Sequence, residues 1–104
     1  MKTLHCVLKK EWFEKIKSGE KNHEYREVKP YWTQRLGLFI RKPNFIKECK
    51  IDGFPVLIFL RNGYQKEAPE MLFEVKSITV VDGKNTDLHI DTPVYDIELG
   101  ERLE

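Results

Sequence analysis

The sequence contains no uninterrupted apolar run approaching the roughly 20 residues that a bilayer-crossing helix needs. Its opening residues, Met1 to Cys6, also lack the apolar centre of a secretory leader. A cytoplasmic chain that avoids membranes is the expectation. Cysteine is scarce: Cys6 and Cys49 are the two among 104 residues, too few and too differently placed for a disulfide scaffold or a zinc knuckle. Both read as reduced thiols. The histidines, His5, His23 and His89, are scattered without ligand spacing, so no metal and no cofactor are expected. No repeat, low-complexity tract or Ser/Gly-rich linker interrupts the chain, which leaves residues 1–104 as a single domain.

A dominant charge is missing as well, but only from the total. There are 18 basic and 17 acidic residues, net +1. Residues 1–50 carry 13 basic against 6 acidic, net +7, and residues 51–104 carry 5 against 11, net −6. Two arrangements fit. A basic first half gathered on one face would attract a polyanion; halves that interleave in the fold would pair their charges instead. The acidic half offers a protein partner nothing more specific than its sign. What the chain does have is 40% hydrophobic and 12% aromatic residues, enough to build a core unaided.

Along the chain, Thr3 to Leu8 alternates, with Leu4, Cys6 and Leu8 on one side, as a half-buried strand does. From Lys10 to Ser18 the period becomes helical. Trp12, Phe13 and Ile16 form an apolar stripe read as packing, and Gly19 follows where a helix end wants positive φ. Asn22 to Val28 is a second strand. Pro30 opens a short helix in which Trp32 and Leu36 lie one turn apart and which Gly37 ends. Lys42 to Gly53 has no period and reads as a loop.

Pro55 to Leu60 is a strand buried on both faces. Met71, Phe73 and Val75 point inward, whereas Ile78 and Val80 fall on the opposite parity, so one long strand with a bulge near Lys76 and Ser77 is expected. Asp82 and Gly83 turn the chain into a last strand, Pro93 to Leu99, with Tyr95, Ile97 and Leu99 on its inner side. The order of elements predicts an α+β domain: a small β-barrel of about five or six strands, mostly antiparallel, with two short N-terminal helices.

The densest polar constellation is Gly19 to Arg26. On a strand from Asn22, Glu24 and Arg26 share a face and Lys21 stands at its mouth, backed by Lys29, Tyr31, Trp32 and Arg35. An amine, a carboxylate and a guanidinium gathered there suit a nucleotide: cations for phosphate, the acid for an exocyclic amine, a ring for stacking. The same residues also suit a solvated strand face with a Glu24–Arg26 ion pair of little worth. Arg61-Asn62-Gly63-Tyr64, after an apolar strand, reads first as a turn.

These segments resemble the opening of ASCH domains, small members of the PUA-like superfamily. The resemblance is carried by Leu4-His5, Trp12 to Arg26, Lys29 to Trp32, and Arg35-Leu36, and above all by the pattern Gly19, Lys21, Glu24, Arg26. Phe59, Arg61 to Tyr64, Phe73 to Val75 and Tyr95 to Gly100 extend it nearly end to end, most weakly between Gly37 and Gly53. It implies a PUA-like barrel with a cleft beside the Lys21 to Arg26 strand that binds RNA, a nucleotide or a nucleoside. It further implies that Arg61, Asn62 and Tyr64 line the cleft, with Tyr31, Trp32 or Tyr64 stacking. Some similar domains remove an acyl group from acetylated cytidine using a lysine, a threonine and a glutamate, and others are reported ribonucleases. Lys21 matches that lysine, but Glu24 occupies the threonine position. An alternative function follows, hydrolysis of an acylated nucleoside or of RNA with Lys21 and Glu24 as acid and base.

Overall fold

A computed structural model describes residues 3–37, 50–51 and 54–104. Ten elements follow in order: β1 (Thr3–Leu8), α1 (Lys10–Lys17), β2 (His23–Glu27), α2 (Pro30–Gly37), β3 (Lys50–Ile51), β4 (Phe54–Pro55), β5 (Leu57–Asn62), β6 (Glu70–Asp82), a 3-10 turn at Gly83–Asn85, and β7 (Pro93–Arg102). The loop expected over 42–53 lies mostly outside the described residues; Lys50–Ile51 of it, β3, pairs with β4 just beyond as a two-residue ribbon. No helix among the described residues is long and apolar enough to cross a membrane.

Five strands form one sheet in the order β1-β5-β6-β7-β2, with β1 parallel to β5 and the other three pairings antiparallel. The sheet curls into a half-barrel, giving the small α+β, barrel-like architecture expected. Alternation decides which side faces in. Leu4, Cys6 and Leu8 of β1, Ile58 and Leu60 of β5, Met71, Phe73, Val75 and Ile78 of β6, and Tyr95, Ile97 and Leu99 of β7 form one buried cluster. Phe13 and Ile16 of α1 and Leu36 of α2 close it from the helical side. Each such side chain contributes about 1.5–3 kcal/mol by leaving water, which is what holds these two eight-residue helices in place.

The bulge is there, as register shifts between Phe73 and Val75 and between Val75 and Ser77. It turns Ile78 inward, fully buried, but Val80 is 51% exposed, not inward as expected. The pairing of β5 with β6 stops at Glu74, so Val80 has a strand on one side only. The turn expected at Asn62-Gly63 is also displaced. Arg61 and Asn62 are the last residues of β5, and Gly63, at φ +86°, begins a longer connection to β6. The two charge halves interleave: β2 pairs with β7, and Lys21 reaches Asp87 while His23 reaches Asp96.

Candidate functional site

The end of α1 sets the position of Lys21. Gly19, at φ +85°, donates its N–H to the Ile16 carbonyl (3.1 Å), and the Lys15 carbonyl accepts from both the Lys21 N–H (3.1 Å) and the Ser18 hydroxyl (3.0 Å). The chain is thereby folded back under the helix and released into β2, where alternation puts Glu24 and Arg26 on the inner face.

β1 and β2 are the two edges of the sheet, and the curl brings them to face each other. One side chain bridges the gap, Arg26 donating from Nη2 to the Val7 carbonyl at 3.1 Å. The incompletely closed barrel leaves a seam here, a cleft of about 360 Å³. Val7, Leu8 and Lys9 line it from the β1 edge and Glu24, Tyr25 and Arg26 from the β2 edge, with Trp12, Lys21, Tyr64, Asp87 and Leu88 completing the lining. That volume is within the about 300–1,000 Å³ typical of small-molecule sites.

Glu24 is buried in the cleft wall, 5% exposed. Its Oε1 accepts the Tyr25 N–H (3.0 Å) and its Oε2 accepts Arg26 Nη2 (2.9 Å). A carboxylate has about four acceptor positions, so acceptor capacity remains. Burial pushes its pKa above the ordinary value of 4.5, and Arg26, Lys21 and the Tyr25 N–H pull it down without cancelling that push. Arg26 also lies over the Trp32 ring at 4.9 Å, and its Nε is buried with no hydrogen-bond partner among the described residues. Beneath it, burial pushes the Cys6 thiol up to about 12, which keeps that sulfur protonated and unreactive. Lys21 is held from three directions: Asp87 Oδ2 at 2.8 Å, the Trp12 ring at 4.5 Å and the Tyr25 ring at 5.3 Å.

Lys21, Glu24 and Arg26 therefore converge on a shared hollow, and the face they occupy is not a solvated one. Tyr64, 88% exposed, borders it. The remaining expected residues fall elsewhere. Trp32 backs Arg26 without lining the cleft, and Tyr31, 57% exposed, carries Arg35 over its ring at 4.5 Å. Lys29 pairs with Glu27 at the surface, at 3.1 Å. Arg61 turns away to fasten the loop after β5, donating to Glu70 Oε1 (3.0 Å) and to the carbonyls of Gln65 and Lys66. Asn62 borders a neighbouring hollow of about 710 Å³ that shares Tyr64 and the Val7 to Lys9 wall with the cleft.

Trp12 and Asp87 are among the site residues that were not legible as such. Trp12 sits at helical spacing with Phe13 and Ile16, both buried, yet its own ring turns to the cleft under Lys21. Asp87 comes from a loop with no pattern of its own. Among the described residues no His, Cys, Asp and Glu gather in threes to hold a metal. Comparison of the chain with family models, with curated proteins and with solved structures finds no match.

Proposed function

We propose that this chain is a PUA-like domain of the ASCH type that binds RNA, or a nucleotide or nucleoside, by holding one nucleobase in the seam between β1 and β2, acting in the cytoplasm. The observation that carries the proposal is a buried carboxylate with acceptor capacity to spare, in the wall of a base-sized cleft lined by aromatic rings. Glu24 accepts from an amine or ring N–H of the base, as an acid does in reading a base edge. Lys21, with only one of its three N–H donors committed to Asp87, donates to a ring carbonyl. Trp12 and Tyr64 supply rings for stacking, while the Tyr25 ring is already stacked on His23. Both deep cations are already paired, Lys21 with Asp87 and Arg26 with Glu24. The charges of Lys21 and Arg26 are thus balanced, and the seam between them suits a neutral base better than a phosphate.

Titration calorimetry with the four ribonucleosides tests this. Binding of at least one of them is expected, weakened about tenfold or more in Trp12→Ala and in Glu24→Gln, each of which removes about 1–3 kcal/mol of stacking or hydrogen bonding. Affinities unchanged by both substitutions would contradict it.

One observation favours a second reading. A carboxyl displaced upward by burial, beside a lysine in the same cleft, is poised to move a proton. On this reading the domain hydrolyses an acylated base or RNA, with Glu24 as base and Lys21 as acid. Loss of acetyl from acetylated cytidine, or cleavage of RNA, followed by chromatography and abolished in Glu24→Gln, is the expected result; intact substrates would exclude it.

A further inference from the structure

The cleft does not end at Tyr64. The wall of Val7, Leu8 and Lys9 runs on into the hollow of about 710 Å³, which Lys10 and Asn62 border and the cleft does not reach. Tyr64 stands between the two hollows, and although 88% exposed it is not on a loose loop. The Gly63 N–H bonds the Leu8 carbonyl (3.2 Å), the Asn62 N–H bonds the Pro69 carbonyl (3.0 Å), the Ala68 N–H bonds the Gln65 carbonyl (3.1 Å), and Arg61 ties that Gln65 carbonyl and the Lys66 carbonyl of the same loop. A ring held out in water by a fastened backbone keeps its surface available at little ordering cost.

Charge divides along the same line. In the seam the deep cations are paired, whereas Lys9 and Lys10 form no ion pair among the described residues. Among the described residues, Glu67 is the one acid bordering the second hollow. Lys9 borders both hollows, where a linkage between two nucleosides would pass.

Resting on the base-binding proposal above, we infer that the second hollow is a further nucleotide subsite, so that the ligand is a single-stranded oligonucleotide of two or more residues and not a free nucleoside. The first base enters the seam, Lys9 and Lys10 meet the phosphate that follows, and the next base lies against Tyr64.

Calorimetry comparing each ribonucleoside with its homodinucleotide and homotrinucleotide tests the inference. For the base that binds as a nucleoside, the dinucleotide is expected to bind about tenfold or more tightly, the worth of one further stacked base. The gain should shrink with salt at a log–log slope of roughly −0.7 per phosphate contacted, and Lys10→Ala and Tyr64→Ala should each remove much of it. A nucleoside that binds while its dinucleotide binds no better, or a dinucleotide gain untouched by both substitutions, overturns the second subsite and leaves the seam proposal standing. No binding by any nucleoside or oligonucleotide overturns both. Circular dichroism of both variants confirms that any loss is not unfolding.

Discussion

Glu24 is a carboxyl that the fold keeps out of water at a cost in stability. A group whose pKa is raised by burial holds its proton in the folded chain over a window in which the unfolded chain has already released it. Stability therefore falls as pH rises from 4.5, the ordinary value, toward the raised folded value, and the cost is constant above it. Glu24→Gln cannot titrate, so the difference in unfolding free energy between wild type and variant should drift against the wild type across that window. Denaturant unfolding at a series of pH values measures it; a flat difference would contradict the assigned burial. The alternation of Glu24 and Arg26 with Lys21 just before them was readable in sequence, because a strand's period of two fixes which side chains share a face. Trp12 was not. Its spacing with Phe13 and Ile16 is what a core stripe requires, and only the placement of Lys21 at 4.5 Å from its ring separates it from them.

At the scale of elements, two glycines position the site by different physics. Gly19 needs positive φ to reverse the chain after α1, with open space where a Cβ would go, so Gly19→Ala should cost about 1–2 kcal/mol of backbone strain and no more. Gly83 lies against its own loop. A Cβ there would meet the Thr92 carbonyl oxygen at 2.4 Å and Ile90 Cγ1 at 2.7 Å, and neither backbone oxygen nor loop can yield cheaply. Gly83→Ala should cost roughly 1–3 kcal/mol of overpacking and weaken ligand binding, because the loop it displaces carries Asp87, the partner of Lys21. Thermal unfolding and calorimetry together check both; equal affinity in wild type and Gly83→Ala would contradict the role given to that loop. The helix ended by Gly19 and the bulge in β6 were legible because each leaves a mark within a few residues, a positive-φ position and a switch of parity. The turn after β5 and the exposure of Val80 were not, because they depend on where a neighbouring strand stops pairing, which no local pattern records.

At the scale of the whole molecule, the described residues form a sheet that curls without closing. Its unpaired edges, β1 and β2, would otherwise invite another strand, and here they confront each other across a gap spanned by Arg26. An open seam leaves what a closed barrel of five strands would not, a walled hollow beside a buried acid. The architecture class was legible from the order of elements, since two short helices among five strands do not make a doubly wound sheet. That β1 and β2 would be its edges was beyond the sequence, because the parallel pairing of β1 with β5 joins residues more than fifty positions apart. The most direct measurement is an amide NMR titration of the isotope-labelled protein with the four ribonucleosides. Shifts confined to residues 7–9, 12, 21–26, 64 and 87–88, saturating with one ligand, are the predicted result; shifts centred on the α2 surface around Tyr31 and Arg35, or none with any nucleoside, would contradict it.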